Sequence, residues 1–294
     1  VFLWLCPGAG GLEKQSQDSF SDVTEGIPFG DVYSFINDYD PKGKVFFINW
    51  DKINRNSNIV LKDGERRNLM AKVLECHNSG IDIFMIIDEE HKYRDTANEY
   101  VANIQPVHVL RISATPVTQE NHTEIIKDDE VIASGLITSG ISINDGVSNA
   151  IENNNNLDDD LLLLNLADQK RKEIQAEYDR LKLPIRPLVL IQFPNGSDEW
   201  ITRIKKELEN MGYSQNSGLV SSWFSGDHPE NPEKIKKLNG QYSFLLFKQA
   251  IATGWDCPRA KILVKLREGG TERFNIQTVG RIRRMPERKH YDNE

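Results

Sequence analysis

No stretch of this sequence is apolar over the roughly 20 residues that a helix needs to cross a bilayer. The longest apolar runs, such as Ile81–Ile87, have the length of buried strands. Cysteine is scarce. Cys6, Cys76 and Cys257 lie far apart and form neither a CxxC pair nor a zinc-ligand spacing, which suits reduced thiols in a cytoplasmic protein. A positive net charge is lacking too, since 36 Lys and Arg face 44 Asp and Glu, for a net charge of −8. There is no short internal repeat. The apolar opening Val1–Cys6 has no basic region before it and no small-residue cleavage site after it, so a strand is expected there and not a leader. The first residue is Val and opens directly on strand-like sequence, so the start of the protein is expected upstream.

What is present suits two hydrophobic cores: 294 residues, 38% hydrophobic and 27% charged. The acidity is local. Asp128–Asp160 carries eight acidic residues and no Lys or Arg, and outside it the charges balance. Lys265–Glu294 carries eight basic against five acidic residues. Local fields matter more than the total for phosphate binding, so the net charge does not exclude a nucleic-acid partner.

Short runs rich in Val, Ile, Leu and Phe alternate with helical patterns. Strands are expected at Val1–Leu5, Lys44–Ile48, Ile81–Ile87 and Val107–Ile112, then at Leu188–Gln192, Leu219–Phe224, Tyr242–Phe247 and Lys261–Leu266. Apolar residues at successive positions fit parallel strands covered on both faces. Ile201, Ile204, Leu208 and Met211 mark one buried helical face, with Ser197 as its N-cap. Leu161–Leu183 is helical by the same spacing. The polar stretch Asn144–Asp160 reads as a linker. The expected division is a first α/β domain over 1–143, a linker and connecting helix over 144–184, and a second α/β domain over 185–294.

The sharpest chemical feature is Asp88-Glu89-Glu90-His91 directly after an apolar strand. Ligands of open α/β sheets bind at the carboxyl ends of strands. There, one carboxylate can hold a nucleotide's Mg²⁺ through water and the next can orient or deprotonate an attacking water. A strand that merely ends in solvated acids has the same local pattern. Ser113-Ala114-Thr115-Pro116 follows the next strand. In the second half, Ala252-Thr253-Gly254-Trp255-Asp256 is a small-residue turn whose amides can approach phosphate, and Asp256 can bond a ribose or an Arg of the other domain. Gln277, Arg281 and Arg284 are spaced by four and three, which places them on one helix face.

In this order the motifs resemble motifs II, III, V and VI of the superfamily 2 helicases, the first in its DEAH form and the last matching QxxGRxxR. The resemblance implies two tandem RecA-like domains with mostly parallel sheets, the first truncated at its N-terminus. It also implies ATP and Mg²⁺ as cofactors, with Asp88 holding the metal and Glu89 activating water. Arg281 and Arg284 would reach the triphosphate. His91, Ser113, Thr115 and Gln277 would couple the states, and Gly254, Asp256 and Gly280 would contact nucleotide. The opening Phe2–Ser16 resembles motif Ia of type III restriction subunits, as do Phe47–Asn54, Leu190–Asn195 and Trp223–Gly226 for other segments of that family. Pro7, Gly8, Gln15 and Thr253 would then meet the nucleic-acid backbone.

The implied protein is the ATP-dependent translocase of a type III restriction enzyme. Its partners would be double-stranded DNA and a methylation subunit that reads sequence, and a nuclease domain would lie beyond the motor. Lys14 is not a phosphate-loop lysine, because Glu13 precedes it where Gly is needed and Gln15 follows it where Ser or Thr is needed. The phosphate-binding loop is therefore expected upstream, and the chain alone is expected to be inactive. Alternatives are a repair or remodelling helicase, a non-catalytic nucleic-acid-binding module, and a metal hydrolase using Asp88, Glu89 and His91.

Overall fold

Asp and Asn side chains start several of the helices. Asp31 accepts from Ser34 N at 2.8 Å, Asn68 from Ala71 N at 2.7 Å, and Asn231 from Glu233 N at 3.1 Å with Pro232 in the first turn. The computed structural model describes residues 1–7, 12–49, 68–90, 94–114, 122–148, 158–224, 226–227, 229, 231–248, 255–266 and 272–291, with backbone alone at 12, 94 and 272–277. By its contacts the chain divides into two units, Val1–Thr123 and Glu124–Glu294.

The first unit is a five-stranded parallel sheet of β1 (Phe2–Cys6), β2 (Phe29–Asp31), β3 (Val45–Asn49), β4 (Phe84–Asp88) and β5 (His108–Ile112), in the order β2-β3-β1-β4-β5. Its helices are α1 (Leu12–Val23), α2 (Val32–Asn37), α3 (Leu69–Asn78) and α4 (Arg94–Ile104). Alternation along the strands sends Leu3, Leu5, Met85 and Ile87 to one face, where they pack with Phe35 of α2, Val73 of α3 and Tyr100 of α4. On the opposite face Phe47 and Trp4 meet Phe20 of α1. That face is open along β5 among the described residues: Leu110 is 56% exposed, and Ile112 and Phe2 are exposed beside it.

The second unit begins with α5 (Asp128–Ala133) and α6 (Asp159–Arg180). Its parallel sheet comprises β6 (Leu188–Gln192), β7 (Val220–Trp223), β8 (Phe244–Phe247) and β9 (Ala260–Lys265), in the order β7-β8-β6-β9. The remaining helices are α7 (Asp198–Asn210), α8 (Pro232–Lys236) and α9 (Glu272–Arg283). Val189, Ile191, Phe244 and Leu246 pack under α6 and α7, while Leu190, Leu245 and Phe247 pack against Ile235 of α8, Trp255 and Ile282 of α9. Both faces are covered, which is why β6 and β8 read as continuous apolar runs.

The fold class is the one expected, α/β with parallel sheets. Details differ. β2 carries no apolar run and was not foreseen. Ser197 sits at the N-cap of α7, but its hydroxyl donates to Pro194 O at 2.8 Å and caps no amide. Residues 124–143, grouped with the first domain on sequence, make their contacts within the second unit. No described helix is long and apolar enough to cross a membrane.

Candidate active site

Parallel register decides what gathers at the carboxyl edge of the first sheet. β4 lies between β1 and β5, and Asp88 pairs with Ile112 of β5, so Ser113 emerges beside it. On the other side Leu5 pairs with Ile87, and Cys6 pairs with Asn49, which brings Cys6 and Pro7 to the same edge. Cys6 and Pro7 are buried there, and burial pushes the Cys6 thiol up to about 12, so it stays protonated at neutral pH.

Asp88 and Glu89 are half-buried. Glu89 has φ 53°, in the left-handed region that side chains other than Gly enter at a cost of about 1–2 kcal/mol. The turn ends the strand and carries two consecutive carboxylates out of the sheet edge. Glu90, the variable position of the sequence pattern, is 3% exposed and pairs with Arg111 of β5 at 3.4 Å. Arg111 also donates to Asn98 Oδ1 of α4 at 3.0 Å. The sequence signal for this pair was a guanidinium inside an apolar strand, since a buried charge demands a partner. Glu90 therefore stands apart from the other two carboxylates.

Oxygen ligands alone suit Mg²⁺, which usually takes one or two protein carboxylates and completes its shell with water and phosphate. Asp88 with Glu89 fits that donor set, and no larger metal-binding cluster occurs among the described residues. His91 and Thr115 lie outside the described residues, as do Gly8, Thr253 and Gly254. Gln15 is exposed on α1. Lys14 pairs with Asp18 at 2.8 Å on the solvent side of the same helix.

In the second unit the arginines differ in setting. Arg281 is 8% exposed and donates to Trp255 O. The Arg284 side chain, 42% exposed, pairs with Asp256 at 2.5 Å. Asp256 thus binds an Arg of its own unit. Gly280 has open space where a Cβ would stand, so packing does not require glycine there. The Gln277 side chain lies outside the described residues.

The segment 255–259 that holds both arginines is itself braced by Arg259. Arg259 is fully buried and donates to Ile235 O at 2.7 Å, Arg186 O at 2.7 Å and Tyr242 O at 3.0 Å. Burial lowers its pKa to about 10, which still leaves it charged at neutral pH. Gly240 makes room for it: a Cβ there would come within 3.1 Å of the Arg259 Nη2. Lys261, whose pKa burial lowers to about 8, donates to Arg284 O. Sequence reasoning missed both cations, because nothing local to them indicates burial.

No family model matches the chain, and no curated protein matches it. Among solved structures the chain is similar to a fragment described as an HsdR subunit of a type I restriction enzyme from Vibrio vulnificus YJ016. That match has 16% identity and a TM-score of 0.47, over 97% of this chain and 50% of that one. It is also similar to the ATP-dependent type ISP restriction-modification enzyme LlaBIII bound to DNA, with 14% identity and a TM-score of 0.49, over 99% of this chain and 24% of that one. The chain thus spans half the length of the first and about a quarter of the second.

Proposed function

We propose that this chain is the core of an ATP-driven motor that moves along double-stranded DNA, of the type used by type III restriction enzymes. The observation that carries the reading is the pair Asp88-Glu89. Two consecutive half-buried carboxylates stand at the carboxyl edge of a parallel sheet, on a turn held at positive φ.

Asp88 would hold Mg²⁺, and Glu89 would orient the attacking water and take its proton. Mg²⁺, when bound, neutralises phosphate oxygens. Arg284, the more exposed guanidinium, offers fixed positive charge to a phosphate, while Arg281, tied to Trp255 O, holds the loop that carries Asp256. Asp256 restrains Arg284 until phosphate competes for it. Gly254 and Gly280 give close backbone approach to nucleotide. His91, Ser113, Thr115 and Gln277 couple nucleotide state to movement. Gly8, Gln15 and Thr253 meet the DNA backbone while buried Pro7 shapes the turn before them, so binding falls steeply with salt and reads little sequence. A methylation subunit supplies the sequence reading.

The test is DNA-stimulated ATP hydrolysis by the longer protein that carries this chain. Glu89→Gln lowers kcat by about 100-fold or more while ATP binding persists. Hydrolysis that survives Glu89→Gln and Asp88→Asn together sinks the proposal. DNA-stimulated hydrolysis by residues 1–294 alone, abolished by Glu89→Gln, would instead return Lys14 to the phosphate site.

A further inference from the structure

The end of α9 is held by a segment remote in sequence. A helix leaves its last carbonyls without intrahelical partners. Here Arg283 O accepts from Thr138 N at 2.7 Å, and Met285 N donates to Leu136 O at 2.9 Å. Ile137 and Arg284 form an antiparallel bridge between those two bonds. Arg284 therefore leaves the helix and enters a short β-pairing. That pairing fixes its backbone, and with it the direction in which its side chain sets out toward Asp256.

Three further contacts tie the same segment down. Asp128, in the first turn of α5, pairs with Arg283 at 2.7 Å. His290 Nε2 lies 2.6 Å from Ile132 O. Gly135, with φ 77°, follows α5, and a Cβ there would stand 2.7 Å from Lys289 Cα. Only glycine combines that backbone conformation with so close an approach. The chain before and after Arg284 is thus gripped by residues 128–138.

We infer that residues 128–138 are a positioning element for Arg284: Asp128 and the Gly135 turn set the aim of that guanidinium from outside its helix. The inference rests on the proposed role of Arg284 at phosphate. Without the brace, Arg284 would sit in the fraying last turn of a helix.

The test uses the longer protein, with ATP hydrolysis measured as separate kcat and KM. Asp128→Asn and Gly135→Ala lower kcat by about tenfold, the scale of a small misplacement of a catalytic group. KM for ATP stays within about twofold, because positioning acts on the transition state. Asp128→Glu restores kcat. Amide exchange at Thr138 and Met285 rises in the two impaired variants and not in Asp128→Glu. Should Gly135→Ala fail to fold, the Asp128 pair carries the test by itself. Loss of hydrolysis in Arg284→Ala, with wild-type kcat in Asp128→Asn and Gly135→Ala, overturns the inference and leaves the motor standing. Full hydrolysis in Arg284→Ala removes the role of Arg284 in the motor and the inference with it.

Discussion

Arg259 offers the sharpest test of the second unit. Its guanidinium is fully buried and holds three main-chain carbonyls, those of Arg186, Ile235 and Tyr242, at 2.7–3.0 Å. A charge-assisted hydrogen bond contributes about 1.5–3 kcal/mol, and each buried carbonyl left without a donor costs about 1–3 kcal/mol. Desolvating the guanidinium offsets part of the gain, as its lowered pKa records. Arg259→Met keeps much of the volume but orphans the carbonyls of Arg186 and Tyr242 and leaves Ile235 O only the weak Cys257 thiol donor, so a loss of about 4 kcal/mol follows, near the upper end for one substitution. Arg259→Lys keeps the charge without the fork and loses about 2 kcal/mol. Urea denaturation followed by far-ultraviolet circular dichroism and tryptophan fluorescence reads these values, and Trp255 reports from the braced segment. With a urea slope of about 2 kcal/mol per molar, the midpoint falls by about 2 M for Met and about 1 M for Lys. A midpoint for Arg259→Met within about 0.3 M of the parent would refute the strut.

Asp168 gives a pH signature. Burial alone would raise its pKa, but hydrogen bonds from Lys172, Arg171 and Tyr213 hold it below the ordinary value. A lowered carboxylate contributes stability above its unfolded value of about 3.9, and loses it as pH falls through the folded value. Asp168→Asn is therefore less stable than the parent at pH 7, and its stability varies less below about pH 4. Equal acid slopes for the two proteins would reject the network. At Glu89, Val costs about 1–2 kcal/mol more than Gly, because only Gly adopts φ 53° without strain; melting temperatures of the two variants check this. Leu110→Lys, on the face of β5 that is open among the described residues, leaves stability within about 0.5 kcal/mol, read by thermal melting. A loss above about 1 kcal/mol would mean that this face is covered.

Periodicity carried most of the second unit. β6 falls on Leu188–Gln192 as read from its apolar run, and α7 follows the spacing of Ile201, Ile204 and Leu208. These elements have strong patterns because two covered faces demand apolar residues throughout. β2 escaped because it is three residues long and includes Gly30 and Asp31. The acidic stretch read as linker from about Asn144 onward, yet residues 128–138 before it serve the end of α9 through backbone bonds, which leave no trace in side-chain pattern.

The candidate site divides the same way. Sequence alone determined that Asp88 and Glu89 follow an apolar strand, because local spacing sets it; the helix face expected to hold both Arg281 and Arg284 ends at Arg283, since Arg284 leaves α9 to pair with Ile137. Sequence could not determine that Glu90 turns inward to Arg111, that Asp256 pairs with Arg284, or that Arg281 is tied to Trp255 O. Those outcomes depend on which segments the sheet order and the crossovers bring side by side, and on the cost of leaving a buried charge or carbonyl without a partner. Both are properties of the assembled units. Local sequence supplied the candidate groups, and tertiary structure decided which are braced and which are tethered.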